Sequence, residues 1–297
     1  MEPEKTFNIK IAIVANRLTP HWVKRSAAFL LSRLMYYLSP KHRLIAIHNL
    51  IRAFPEKSLD DILNIVKASN ENFILSMLEF PDLLNVNKDN IHRLVSIKGL
   101  EHYEAACREG KGVLLFSAHF GSWEVGNAAL AILSKPPVFM ARILDSAFLE
   151  EGSTYVRATL GIGNIHKENA MRPLLRLLKK GEAVKLLIDQ NVAVYEGVFV
   201  DYFGRTACTT TGIALLALHT GAAVLPIFTT RMPDGKYVTE IGPKVETVNT
   251  GDRDQDVRIN TQNYTKVIED HVRQYPHQWL WVHQRWKTKP CQAERNS

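Results

Sequence analysis

A histidine and a glutamate five positions apart are the strongest candidates for acid–base chemistry in this sequence. His119 and Glu124 lie just after the apolar run 112–117, with Gly121 between them. On one continuous helix their side chains would point about 140° apart and would not meet. If His119 ends a strand, Gly121 turns the chain and Glu124 opens a helix, the two side chains can touch. Glu124 would then hold one imidazole nitrogen, and the other nitrogen would accept a proton from a hydroxyl group.

The spacing alone also fits a structural histidine beside a neighbouring acid. Eleven histidines and acidic residues at about one position in ten predict roughly one such pair by chance, and the sequence holds one. The context adds weight, because a strand end, a glycine turn and Trp123 surround the pair. The amides of Gly121 and Ser122, at the expected helix start, would be placed to face an anion or an oxyanion.

The elements that must position this pair alternate between strand and helix. We predict an α/β fold with a central, largely parallel sheet flanked by helices, and reactive groups at the carboxyl ends of its strands. The predicted strands are 112–117, 138–141, 183–188, 222–228 and 237–241, and the predicted helices are 122–133, 170–180, 210–219 and 254–274. Before these elements, we predict three further helices over 22–38, 40–53 and 58–79. We expect a helical segment over 1–85 and an α/β core over 86–297, packed as one unit.

Composition and motifs exclude several classes of protein. The three cysteines, Cys107, Cys208 and Cys291, are far apart and form no CxxC pair, which argues against a disulfide framework and a cysteine zinc site. The sequence has no G-x-S-x-G elbow, no Walker A loop and no complete dinucleotide fingerprint. We therefore expect neither a metal nor a cofactor. Nucleic-acid binding is poorly supported, because the basic charge accompanies no known recognition module.

The net charge of +7 is concentrated at the two ends of the chain, as expected if they face an acidic partner such as phospholipid head groups. A membrane-spanning helix needs about 20 mostly apolar residues, and no stretch meets that requirement cleanly. The apolar run 26–38 is interrupted by Arg33 and preceded by Arg25. This pattern suits a helix lying on a bilayer surface, although a helix packed on its own domain would look much the same.

Several ordered motifs together resemble the lipid A biosynthesis acyltransferase family, over roughly residues 40–290. The segment 119–124 resembles the His-x4-Asp/Glu signature of glycerolipid-type acyltransferases. Further similarities are Arg142 on the following strand, the strand-end pair Asp189-Gln190, the segments 198–204 and 209–212, Pro226, and the tail 276–290. Ser122, Asn191 and Gln284 depart from residues that are frequent in the family at these positions.

The resemblance implies an O-acyltransferase that needs no covalent intermediate, with His119 as the general base and Glu124 orienting it. It also implies substrate-binding roles for Arg142, Asp189 and Gln190, alongside Gly121 and Ser122. Two alternatives remain open. Arg142 would form only an exposed ion pair, and Asp189 would either cap a helix or position Arg142. The tail tryptophans, with basic residues beside them, would form either a belt over anionic head groups or a buried aromatic strand.

The resemblance also implies the partners. The acyl donor would be acyl carrier protein or acyl-coenzyme A, and the acceptor a lipid A precursor or a related glycolipid. The protein would work on an anionic membrane surface, at the cytoplasmic face of the bacterial inner membrane. Two alternatives stay open: the same chemistry on a lysophospholipid, and a lipid-binding protein on the same scaffold without catalytic activity.

Overall fold

A seven-stranded, mostly parallel sheet forms the centre of the protein. The computed structural model describes residues 7–168 and 170–290, so that Cys291 lies outside the described residues. The sheet strands are β1 Val95–Lys98, β2 Val113–Ser117, β3 Val138–Ala141, β4 Asn164–His166, β5 Ala183–Leu187, β8 Ala223–Arg231 and β9 Tyr237–Ile241, in the spatial order β1-β9-β8-β2-β5-β3-β4. All neighbouring pairs run parallel except β8 and β9. The predicted α/β fold is confirmed.

Helices cover the sheet and precede it along the chain. They are α1 Phe7–Leu18, α2 His21–Leu38, α3 Pro40–Ala53, α4 Leu59–Glu79, α5 Ile91–Leu94, α6 Leu100–Arg108, α7 Trp123–Leu133, α8 Ala147–Thr159, α9 Met171–Lys179, α10 Gly212–Thr220 and α11 Arg253–Gln274. Ser58 caps α4 by accepting a hydrogen bond from the amide of Asp61, and Pro40 occupies the first position of α3. Serine as the N-cap and proline at the first helical position are common residues at helix starts.

The central strand β2 is apolar because helices pack on both of its faces. All five of its residues are buried, and it lies between β8 and β5 in register, with Phe116 opposite Pro226 and Leu186. A parallel strand enclosed in this way reads as a continuous apolar run. Its carboxyl end, and those of β5 and β3, therefore open onto the same edge of the sheet.

Several elements differ from the sequence-based expectation. The predicted helix 210–219 begins only at Gly212, because Thr210 ends strand β7 (Arg205–Thr210), which pairs with β6 (Gly197–Tyr202) in a separate antiparallel hairpin. Strands β1 and β4 and helices α1, α6 and α8 were not predicted. The division of the chain at residue 85 remains a prediction.

The tail after α11 is buried and does not form an interfacial belt. Trp279, Trp281 and Trp286 are all fully or almost fully buried in the main core, as is Arg285, which is 1% exposed. The guanidinium of Arg285 donates to the carbonyl of Cys208 and to the hydroxyl of Thr209. The alternative of a buried aromatic segment is therefore correct, and only Lys287 and Lys289 lie on its exposed edge.

Helix α2 turns its apolar side chains outward. It buries Lys24, Ala28, Ser32 and Tyr36, and α2 packs against α4 through this side. Across α1, α2 and α3 the exposed large apolar side chains are Ile11, Val14, Leu18, Trp22, Phe29, Leu30, Leu31, Leu34, Tyr37, Leu38, Leu44 and Ile51. Within 7–168 and 170–290, no helix combines the length and the apolar character needed to cross a bilayer.

Candidate active site

The ends of β2, β5 and β3 bring the predicted site residues to one edge of the sheet. His119 follows β2, Asp189 follows β5 and Arg142 follows β3, and the three strands are neighbours in that order. Neighbouring strands lie about 4.8 Å apart, so the ends of β2 and β3 are separated by about 10 Å. The topology therefore places all three residues at the carboxyl edge, where α/β folds assemble their sites.

A sharp turn at Gly121 separates His119 from helix α7. Gly121 has a φ of 55°, and a Cβ atom there would lie 1.8 Å from the carbonyl oxygen of Thr229. The backbone amide of Gly121 donates to the carbonyl of Gln278 (2.9 Å), and the backbone amide of Ser122 donates to the carbonyl of Thr229 (3.2 Å). The expectation that these two amides face an anion is corrected here, since both hold the turn against the sheet and the tail.

His119 is held by Asp189, from the neighbouring strand end. Its Nδ1 lies 2.8 Å from Asp189 Oδ1, and its backbone amide donates to Asp189 Oδ2 at 2.9 Å. The indole of Trp279 donates to the same Oδ2 at 2.8 Å. Asp189 is buried while the imidazole is 23% exposed, so the carboxylate is held in place and orients the ring.

The charge of Asp189 fixes which imidazole nitrogen is free. Burial alone would raise the pKa of Asp189, but the imidazole of His119, its backbone amide and the indole of Trp279 outweigh burial and lower the pKa to about 2. An ionised carboxylate only accepts hydrogen bonds, so Nδ1 of His119 carries the proton in the neutral ring. The outward nitrogen, Nε2, is then an acceptor.

Gln190 and Asn191, which follow Asp189, also lie at this edge of the sheet. With Nδ1 protonated, the side-chain nitrogen of Gln190 donates a long hydrogen bond (3.4 Å) to Nε2 of His119, the nitrogen that would accept a proton. The backbone amide of Asn191 donates to Nε2 of His283 at 2.9 Å. The strand end after β5 thus joins His119 to the tail. The ring of Trp123 contacts that of His119 edge-on, with centroids 5.5 Å apart.

Glu124 does not contact His119. Within the part of the chain that the structure describes, its carboxylate instead accepts hydrogen bonds from Arg157 (2.5 and 3.3 Å), Trp123 (3.1 Å) and Asn127 (3.2 Å). Gly121 does turn the chain as predicted, but the turn directs Glu124 toward helix α8 and away from the imidazole. The predicted hydrogen bond between Glu124 and His119 is therefore corrected: Asp189 occupies that place.

A second cation lies beneath Glu124. Lys185, in the middle of β5, is 1% exposed, and its ammonium donates to the side chain of Asn127 (2.8 Å) and to the carbonyl of Trp123 (3.3 Å). Burial lowers the pKa of Lys185 to about 8, and the nearby carboxylate of Glu124 limits the decrease. Glu124, Arg157 and Lys185 therefore form a buried ionic cluster behind the start of α7.

Arg142 lies at the predicted edge but on the surface. Its guanidinium pairs with Asp145, three residues along the chain, and both side chains are largely exposed. This is the surface ion pair that the sequence left open as an alternative. It leaves Arg142 at the mouth of the site, about two strands from His119, with no hydrogen bond to Asp189 among the described residues.

Sequence reasoning missed Arg157 and the pairing of Asp189 with His119. Asp189 was selected as a strand-end acid, yet its partner depends on β2 and β5 being neighbours, and 65 residues separate those strands. Arg157 lies in α8, a helix that was not predicted. A buried-looking strand that carries one lysine, Lys185, was the available signal for an ionic cluster.

The described residues include no group of three or more His, Cys, Asp or Glu side chains able to hold a metal ion. A neutral imidazole, with one nitrogen bound to a buried carboxylate and the other open, can remove a proton from a hydroxyl group and return it.

Comparison with known sequences gives a consistent picture. The sequence pattern of the bacterial lipid A biosynthesis acyltransferase family matches residues 5–288. A lipid A biosynthesis lauroyltransferase of Escherichia coli (strain K12) is 28% identical over 252 residues, which cover 84% of this chain and 81% of that protein. A lipid A biosynthesis palmitoleoyltransferase of the same strain is 27% identical over 248 residues, covering 83% of this chain and 79% of the relative.

The similarity extends to a different glycolipid. A phosphatidylinositol mannoside acyltransferase of Mycolicibacterium smegmatis is 24% identical over 242 residues, covering 80% of this chain and 77% of that protein. The relatives thus share the transfer of an acyl group and differ in the lipid that receives it.

Proposed function

Because the chain belongs to the bacterial lipid A biosynthesis acyltransferase family and is an acyltransferase, we propose that it moves a fatty acyl chain from a thioester donor to a hydroxyl group of a lipid A precursor or related glycolipid. His119 is the general base. The observation that carries this proposal is the bond between Nδ1 of His119 and the buried carboxylate of Asp189, which leaves Nε2 as an exposed acceptor.

The reaction follows from this geometry. The acceptor hydroxyl gives its proton to Nε2 of His119 as its oxygen attacks the thioester carbonyl carbon. Asp189, ionised throughout, stabilises the imidazolium that forms. When the tetrahedral intermediate collapses, the carbon–sulfur bond breaks and the imidazolium returns the proton to the departing thiolate. The products are an ester and a free thiol, and the enzyme is unchanged.

In this mechanism Glu124 does not contact the reacting groups and acts through its neighbours. Its carboxylate neutralises Arg157 and fixes the first turn of α7, which carries the Trp123 ring that contacts His119. Gln190, 3.4 Å from Nε2, is placed to bind the acceptor beside the reacting oxygen. Arg142 lies on the surface at the same edge, where it is available to a phosphate of either substrate.

The donor in this proposal is acyl carrier protein or acyl-coenzyme A. Both carry the acyl group as a thioester of a phosphorylated pantetheine arm, and both are acidic. The basic character of residues 1–60 and of the segment after residue 284 suits either donor. The chemistry at His119 is the same with both, so the proposal stands on the thioester and not on its carrier.

The proposed place of work is the cytoplasmic face of the bacterial inner membrane, with the protein lying on it. The outward apolar side of α2 supports this, because Phe29, Leu30 and Leu34 point away from the core while Lys24 is buried in it. A helix with this arrangement suits insertion into the interface between head groups and acyl chains. Arg25 and Arg43 lie nearby for contact with anionic lipids.

Acyl transfer with purified protein tests the proposal. Labelled acyl carrier protein and acyl-coenzyme A are offered as donors, and a lipid A precursor and a lysophospholipid as acceptors. Wild type is expected to acylate the lipid A precursor, and His119→Ala to lower the rate by about 10² to 10⁴. His92→Ala, a change at an exposed histidine just before β1, three strand positions from β2 in the sheet, is the matched control and should leave the rate unchanged.

Each alternative has its own outcome. Transfer only to the lysophospholipid would keep the chemistry and replace the acceptor. Full activity of a folded His119→Ala variant would refute His119 as the base. Lipid binding by folded wild type without any transfer would favour the non-catalytic alternative.

A further inference from the structure

A cavity lies between helix α3 and the tail, next to the strand-end loop that holds His119. Its volume is about 640 Å³. One wall is α3 and the other is the tail, and the lining residues are Leu44, Ile45, Ile47, His48, Asn49, Ile51, Arg52, Gln284, Trp286 and Lys287. No role in the proposed reaction has been given to any of these side chains.

The cavity has an apolar floor and a cationic rim. Leu44, Ile47 and Ile51 supply the floor from α3, and Trp286 closes it from the tail. Arg52 and Lys287 stand at the rim, and neither forms an ion pair with any carboxylate that the structure describes. Among the described residues, the positive charge of this rim is therefore not paired with a carboxylate.

The surroundings add to this charge. Arg205 lies against the end of α3 and donates to the backbone carbonyl of Arg52. The pKa of His48, which lines the cavity, is lowered first by burial and then by the charges of Arg52, Lys289 and Arg205. The charges of Arg52, Lys289 and Arg205 thus all act on one imidazole. Such a concentration of like charge favours an anionic ligand.

The cavity is connected to the active-site loop by hydrogen bonds. Asn49, in its wall, donates to the carbonyls of Trp281 (2.8 Å) and His283 (2.7 Å). His283 in turn accepts from the amide of Asn191, two residues after Asp189. Through Asn191 the cavity therefore lies one short loop away from the carboxylate that orients His119.

We propose that this cavity is a subsite for a phosphate group of one of the two substrates, with Arg52 and Lys287 as its ligands and the apolar floor receiving the neighbouring aliphatic part. The guanidinium fork of Arg52 matches two phosphate oxygens, and Lys287 adds a mobile point charge. Sugar phosphates of the acceptor and phosphates of the donor share this chemistry. The proposal rests on the proposed function, because it assumes a phosphorylated substrate at His119.

The test compares substrates that differ only in phosphate. In the first arm the donor is an acyl N-acetylcysteamine thioester, which has no phosphate, and the acceptor is the lipid disaccharide with or without its phosphates. In the second arm the acceptor lacks phosphate and the donor is either acyl-coenzyme A or the same acyl N-acetylcysteamine thioester. The enzymes are wild type, the double variant Arg52→Gln/Lys287→Gln, and the charge-matched control Arg93→Gln/Lys111→Gln, at two exposed residues that do not line the cavity.

In whichever arm contains the substrate that binds the cavity, wild type and the control should have a kcat/KM about tenfold or more higher for the phosphorylated substrate. The difference should come from a lower KM for that substrate. The Arg52/Lys287 double variant should lose that preference, with kcat unchanged and with wild-type turnover of the phosphate-free pair. The arm that shows the effect identifies which substrate carries the phosphate. A preference that survives in the double variant, or an equal loss for both substrates, would overturn the subsite.

Direct binding separates this proposal from the reaction. If wild type transfers no acyl group, the proposed function has failed, and titration with inorganic pyrophosphate still tests the cavity. Binding to wild type that is lost in the folded double variant supports the subsite, and equal binding or none refutes it. If the double variant impairs only transfer from intact acyl carrier protein, and neither phosphate comparison changes, the cavity recognises an acidic protein surface and the phosphate subsite is wrong.

Discussion

Two buried carboxylates, Asp189 and Glu124, lie at the same edge of the sheet in opposite electrostatic surroundings. Asp189 accepts hydrogen bonds from the ring and amide of His119 and from the indole of Trp279, and no guanidinium or ammonium group among the described residues bonds to it. Glu124 is bound by the guanidinium of Arg157, and the ammonium of Lys185 acts on it from nearby.

The difference explains which carboxylate can serve a base. The charge of Asp189 is balanced fully only when His119 becomes an imidazolium, so Asp189 would stabilise the charge that develops on the ring during the reaction. The charge of Glu124 is already balanced by the permanent cation Arg157, with Lys185 nearby, so Glu124 does not need His119 as a partner. Sequence proximity selected Glu124, whereas the neighbouring strands select Asp189.

The largest effect should come from removing the charge of Asp189 while keeping its shape. An Asp189→Asn amide would donate to Nδ1 of His119, which would move the ring proton to Nε2 and block proton uptake there. We expect kcat to fall by about 10² to 10⁴, by analogy with the tautomer error known from the serine protease triad. Steady-state acyl transfer measures this.

Asp145→Asn is the matched control for that change. Asp145 is a carboxylate in the neighbouring loop, largely exposed and paired with Arg142, and its substitution should change kcat little. The comparison would be reversed if Asp189→Asn kept full activity while Glu124→Gln lost it without loss of stability. Glu124 would then be the orienting acid after all.

The second expected effect concerns stability and should be confined to Glu124. Glu124→Ala leaves Arg157 and Lys185 buried without a carboxylate, which should lower the free energy of unfolding by about 3 to 5 kcal/mol. Urea denaturation followed by circular dichroism measures it. Glu196→Ala removes a partly exposed carboxylate that pairs with Lys167, and should cost no more than about 1 kcal/mol. Equal losses in the two variants would show that the buried cluster is not held by Glu124.

The third effect is the acid dependence that Asp189 contributes. Its pKa is about 2 in the folded protein against an ordinary value of 3.8, so its stabilising contribution is complete above about pH 4 and is lost as the pH falls toward 2. The difference in unfolding free energy between wild type and Asp189→Asn should therefore shrink by about 2 kcal/mol between pH 5 and pH 2. Other titrating groups are common to both proteins and cancel. A difference that stays constant with pH would mean that the carboxylate is not stabilised by its partners.

The central fold was predictable because its strands are buried on both faces. The runs over β2, β5 and β8 are almost continuously apolar, and the glycines and prolines between them mark the turns. The two strands of the central sheet that were missed lie at its edges, and the separate hairpin strands β6 and β7 were missed as well. Strand β1 alternates between buried and exposed over only four residues, and β4 has three, too short for periodicity to register.

The site was only half predictable, for a related reason. Both residues at strand ends were identified, His119 from its local sequence and Asp189 from the family resemblance. Their contact required the order of the strands, which depends on packing across the whole sheet and leaves no local trace. The outcome for Glu124 shows the limit of spacing arguments, since the turn at Gly121 forms as expected but directs the acid toward α8.

The tail has a consequence for the order in which the enzyme is made. Gln278 and Leu280 bond the backbone on either side of the turn at Gly121, Trp279 holds Asp189, and His283 caps the loop beyond it. All of these residues are translated after every strand of the sheet. A nascent chain that has not yet exposed residues 276–283 outside the ribosome therefore carries His119 and Asp189 without their support. Catalytic competence should therefore arise only once this segment has emerged, and chains released before that point would also lack three buried tryptophans of the main core.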